Sequence, residues 1–64
     1  MKVNGKTVAL EKEQTVFEFL MVQQFDIRTI AVERNGLIVP KTKYQNVMLL
    51  DDDILEIVNF VGGG

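Results

Sequence analysis

The sequence predicts an α+β fold in which a mixed sheet of four to five strands packs on one helix, and three local signals carry that prediction. Two Asn-Gly pairs, Asn4-Gly5 and Asn35-Gly36, each sit between short β-forming stretches. A Thr-x-x-Glu box at Thr15 opens an amphipathic segment. Residues 54–61 form a mostly apolar run that ends in three glycines.

Asn-Gly accepts positive φ at both central positions of the turn that matches strand twist, so Val3-Asn4-Gly5-Lys6-Thr7-Val8 predicts a hairpin with strands over about residues 1–4 and 7–11. In Gln14-Thr15-Val16-Phe17-Glu18 the Thr and Glu side chains can each satisfy an otherwise orphaned backbone N–H, which predicts a helix beginning at Thr15. Val16, Phe19, Leu20 and Gln23 follow at helical spacing, and Phe17 with Met21 makes a second apolar row, so the helix has a wide core-facing side. These residues read as core or rim packing.

Residues 29–34 return to β-type composition and run into Asn35-Gly36, which predicts a second hairpin. Its return strand, Leu37-Ile38-Val39, is cut short by Pro40, which has no N–H to give a ladder. Residues 41–45 predict a loop or one short helical turn, with Tyr44 anchoring the connection against the sheet. Asp51-Asp52-Asp53 predicts a solvated turn, because runs of like charge face water. A cation loop would need alternating oxygen ligands, a turn glycine and a distal Glu, and the run has none of these. Residues 54–61 then form the longest strand, central because it is apolar on both faces. The expected organisation is one domain over residues 1–60 and a flexible, Gly-rich C-terminal tail over 61–64.

A chain of 64 residues lies near the lower limit for a single unaided core, and 47% hydrophobic residues against 25% charged ones supply enough apolar material for it. There is no Cys and no His, which removes the best nucleophile and the commonest general base and metal ligand. Catalysis by this chain alone is therefore not expected. Seven basic residues against nine acidic ones give a formal charge of -2, which offers nucleic acid or an anionic membrane no electrostatic footprint. No apolar stretch approaches the roughly 18 residues of a membrane span, and the first residues lead directly into strand-like sequence. The expected setting is cytoplasmic, with proteins as partners and a monomer when free.

The end of the sequence, Val61-Gly62-Gly63-Gly64, points to function. Glycine loses the most backbone entropy on ordering and gives a core no side chain, so these residues serve folding poorly. Extended, the last four residues reach roughly 14 Å at most, enough to carry the Gly64 carboxylate into a narrow channel where a Cβ on Gly62 or Gly63 would obstruct passage. Period-two geometry in the last strand puts Leu55 and Ile57 on one face, and Glu56, Val58 and Phe60 on the other. If the helix covers Leu55 and Ile57, then Val58 and Phe60, with Val61, form a docking surface beside the tail. The alternative is that residues 41–50 fold over them.

From the opening hairpin to Gly64 the sequence resembles the thiamine-pathway sulfur carriers, the ThiS family. The resemblance rests on Val3-Asn4-Gly5, Thr15-Val16-Phe17-Glu18-Phe19-Leu20, Ala31-Val32-Glu33-Arg34-Asn35-Gly36-Leu37-Ile38-Val39-Pro40-Lys41, Asp51-Asp52-Asp53 and Leu55-Glu56-Ile57-Val58-Asn59-Phe60-Val61-Gly62-Gly63-Gly64. It implies a ubiquitin-like β-grasp fold and a carrier cycle. A ubiquitin-activating-type (ThiF-like) adenylyltransferase, using its own ATP and magnesium, adenylates the Gly64 carboxylate. A sulfur donor protein converts it to a thiocarboxylate, and a (ThiG-like) thiazole synthase receives the sulfur. The carrier itself binds no cofactor. The family usually has Gly where this chain has Asp52, and often Arg where it has Lys41. Asp tolerates left-handed backbone better than most residues, so the turn should survive. Two other functions fit the same features: a molybdopterin-type sulfur carrier, and a β-grasp binding module with an inert tail.

Overall fold

Each Asn-Gly pair makes a two-residue turn of the expected hand. In the computed structural model, which describes residues 1–60, Asn4 and Gly5 have φ of 51° and 85°, and Asn35 and Gly36 have 53° and 86°. The first turn joins β1 (Lys2–Val3) to β2 (Lys6–Thr7), and the second joins β3 (Ile30–Arg34) to β4 (Leu37–Val39), both antiparallel.

The first hairpin is shorter than the sequence predicts. Its register extends to Met1 and Val8 through the bonds Val8 N–H to Met1 O (2.8 Å) and Met1 N to Val8 O (3.1 Å), and residues 9–11 lie outside the strand. The chain instead leaves the sheet and lays Leu10 against the core on its way to the helix.

The helix α1 (Val16–Val22) begins as predicted, with Thr15 as its N-cap. Glu18 N–H donates to Thr15 Oγ1 at 3.1 Å, and Thr15 N–H donates to Glu18 Oε1 at 2.9 Å. Two more of the first-turn N–H groups find partners in the later connection: Val16 donates to Val47 O and Phe17 to Tyr44 O, both at 2.9 Å. At the other end Phe25 N–H reaches Leu20 O and Gln24 N–H reaches Met21 O, a Schellman closure with Gln24 left-handed at φ 65°. Val16, Phe19 and Leu20 are buried and Phe17 is half-buried, while Met21 and Gln23 are exposed. A 3-10 turn over Ile27–Thr29, capped by Asp26 and its ion pair with Arg28, leads into β3.

The final strand, β5 (Ile54–Asn59), is the longest and lies at the centre of the sheet, in the order β2-β1-β5-β3-β4. It runs parallel to β1 and antiparallel to β3, so the sheet is mixed as expected. Ile30, Val32, Val39, Leu55 and Ile57 project from its inner face onto Val16, Phe19 and Leu20 of the helix. Tyr44 and Leu49, from the connection over residues 41–50, complete the core. That connection contains the short turn expected there, a 3-10 turn over Lys41–Lys43. The Tyr44 hydroxyl is buried without a hydrogen-bond partner among the described residues, and burial pushes the phenol pKa up.

The acidic run departs from expectation. Asp51 and Asp52 are exposed, but Asp53 is buried. Its Oδ2 accepts from Arg34 Nε and from Leu50 N–H, each at 2.8 Å, and its Oδ1 accepts from Asn35 Nδ2 at 2.9 Å. Burial pushes this carboxyl up, and the bonds from Arg34, Leu50 and Asn35 outweigh it and hold the carboxyl below its ordinary range. Asp52 does not take positive φ, so an Asp at this place strains nothing.

Candidate functional site

The site is the outer end of β5, and it is built by tethering that strand on both sides. Asn4, the first turn residue after β1, donates from Nδ2 to Ile57 O at 3.2 Å and accepts at Oδ1 from Ile57 N–H at 2.7 Å. Its side-chain amide thus continues the β1–β5 ladder beyond the point where the backbone turns away. Asn35, at the matching place in the second hairpin, accepts from Ile54 N–H at 2.9 Å while its Nδ2 holds Asp53. The sequence marks both Asn residues as turn formers. Their second use, over separations of 53 and 19 residues, carries no local signal.

Val58 and Phe60 are 56% and 51% exposed, so residues 41–50 do not cover them. Of the two placements the sequence allows, the structure takes the open one. Phe60 is held by its backbone, whose N–H donates to Thr29 O at 2.8 Å. Lys41 Nζ lies 5.3 Å from the Phe60 ring centroid and 3.5 Å from Arg28 O. That arrangement gives the Lys at this position a contact of its own, a cation over an aromatic face. Val61, Gly62, Gly63 and Gly64 lie outside the described residues.

Surface hollows occur elsewhere, one of about 450 Å³ beside Leu10, Glu13 and Met48 and another of about 420 Å³ beside Phe17, Ile27 and Tyr44. Among the described residues no three acidic, Cys or His side chains gather where they could hold a metal ion, and no helix is long and apolar enough to cross a membrane.

A comparison with protein families matches the ThiS family profile to residues 1–64. The chain belongs to the ThiS family. It is 42% identical to the sulfur carrier protein ThiS of Bacillus subtilis over 65 residues, an alignment that takes in all of this chain and 98% of that one. The crystal structure of a ThiS thiamine biosynthesis protein from Geobacter metallireducens superposes with a TM-score of 0.81 at 30% identity, covering 98% of this chain and 96% of that one. The sheet with its single helix is therefore the ubiquitin-like β-grasp of ThiS proteins. A third relative is a thiazole synthase from Paramagnetospirillum magneticum, 45% identical over 62 residues. There the likeness takes in 97% of this ThiS-family chain and 19% of the synthase.

Proposed function

We propose that this protein is the sulfur carrier of thiazole formation in thiamine biosynthesis, with Gly64 as the residue that is modified. The observation that carries the proposal is the family match itself, which runs through the glycine end to Gly64. A carboxylate resists nucleophiles until one of its oxygens becomes a good leaving group. Attack by the Gly64 carboxylate on the α-phosphorus of ATP, with pyrophosphate departing, gives an acyl-adenylate. Hydrogen sulfide ion (HS−), delivered by the sulfur donor protein, then attacks the acyl carbon, AMP departs, and loss of the sulfur's proton leaves the thiocarboxylate. The enzyme that binds ATP and magnesium is a ubiquitin-activating-type adenylyltransferase, and the carrier is its co-substrate. The acceptor of the sulfur is a thiazole synthase, which is supported by two relatives of that name that include a segment like this chain.

In this reading Gly62 and Gly63 thread the tail into the partner's site, while Val58, Phe60 and Val61 meet the partner's surface at its mouth. The chain's contribution is display: β5 is pinned as far as Phe60, so the tail leaves the body from a fixed point. Intact mass spectrometry after incubation with the adenylyltransferase, ATP, magnesium and a sulfur donor tests the proposal. The native chain gains one sulfur in exchange for one oxygen. Deleting Gly64 leaves the melting temperature unchanged and abolishes that exchange. Equal thiocarboxylate formation by the deletion variant would contradict the assignment.

A further inference from the structure

The sheet face turned away from α1 carries an electrostatic conflict. Glu33 of β3 and Glu56 of β5 are direct cross-strand partners. Glu33 follows buried Val32 and precedes half-buried Arg34, the partner of inward-facing Leu55, and Glu56 lies between buried Leu55 and Ile57, so both carboxylates project from the outer face. Side chains so paired have Cβ atoms about 5 Å apart, and like charges there are destabilising. The ion pairs among the described residues are Arg28 with Asp26 and Arg34 with Asp53, so neither Glu takes part in one. Their neighbours on this face are largely apolar: Ala31 faces Val58 on one side of the pair, Ile38 is the β4 neighbour of Glu33, and Ile54 precedes Glu56 on its own face, with Lys2 of β1 placed beside Ile54. Ile38, Ile54 and Val58 are all more than half exposed.

Two adjacent carboxylates that take part in no ion pair, inside a largely apolar exposed surface, are complementary to one kind of visitor, a cation flanked by apolar side chains. The same apolar neighbours that leave the repulsion uncompensated in the free protein would exclude water from a bound guanidinium, whose fork can pair with both carboxylates. We propose that this face docks on the thiazole synthase and that an arginine or lysine of the synthase enters between Glu33 and Glu56. The proposal rests on the carrier reading above. The synthase is the favoured occupant because two relatives of that name carry a segment like this chain within the same polypeptide.

The test is to make Glu33→Gln, Glu56→Gln and the double variant, and to measure for each its melting temperature and its affinities for the purified synthase and for the purified adenylyltransferase by titration calorimetry at low and high salt. The two readouts should move in opposite directions. Removing the repulsion raises melting by roughly 1–5 °C. Removing the anchor weakens synthase binding about tenfold or more, and flattens its salt dependence. Higher melting with unchanged affinity overturns the proposal. Melting that does not rise overturns it too, because the conflict it depends on is then absent. A loss of affinity seen only toward the adenylyltransferase overturns the choice of occupant. Sulfur-for-oxygen exchange on the native chain is scored separately, so failure of the carrier reading stays distinct from failure of this one.

Discussion

Asp53 is a carboxylate that the fold buries and fully engages. Taking such a group out of water is unfavourable unless its lone pairs are satisfied, and here Arg34, Asn35 and the Leu50 N–H satisfy them. Because its pKa is lowered in the folded protein, its contribution to stability is fully present above the ordinary carboxylate value of 3.8, and is lost as pH falls below that toward the folded value. Asp53→Asn sets an amide donor among three donors. It should cost about 2–3 kcal/mol near neutral pH, measured by urea denaturation. The difference between variant and native protein should shrink as the pH is taken toward 2, since protonation disables the native carboxylate as well. A difference that stays constant across that range would show that the carboxylate's charge is irrelevant.

Among the elements, α1 is short, with seven residues, and a helix of that length is held by its caps and its packing more than by propensity. Thr15→Ala removes one half of the capping box and should lower stability by about 1 kcal/mol, or roughly 4–8 °C in melting temperature, with sulfur loading unchanged at temperatures where the variant is folded. The cap was legible in the sequence because its two side chains are three residues apart, and both hairpins were legible because Asn-Gly dictates its own backbone. The central place of β5 followed from its apolar composition. What was not legible depended on partners far along the chain. The parallel pairing of β1 with β5, the early end of β2 and the capture of Asp53 by Arg34 and Asn35 are all long-range. In the last case a run of three acids gives no hint which one turns inward. The candidate site divides in the same way: alternation put Val58 and Phe60 on one face, but only the path of residues 41–50 decides that this face is open.

For the whole molecule, packing the helix and the connection on the inner face leaves the outer face of β5 free up to the residue where the glycine tail begins. A partner that takes the tail into its site must therefore lie against the end of that strand, and Phe60 is the large apolar side chain at the junction. Phe60→Asp tests whether contact there contributes to activation. The side chain is half-exposed and its hold on the fold is a backbone bond to Thr29 O that any residue can make. The substitution should thus change stability by no more than about 1 kcal/mol, with the lost cation contact partly replaced by attraction between the new carboxylate and Lys41. Burying a charge where an aromatic ring should dock is far more costly to the complex. The variant should support adenylate formation with kcat/KM lower by about tenfold or more, mainly through KM, in a pyrophosphate-exchange assay with the adenylyltransferase and a thermal melt that confirms folding. A rise in KM at unchanged kcat assigns Phe60 to docking. A fall in kcat alone assigns it to the placement of the tail once bound. Unchanged kinetics in a folded variant remove this face from the activation step altogether.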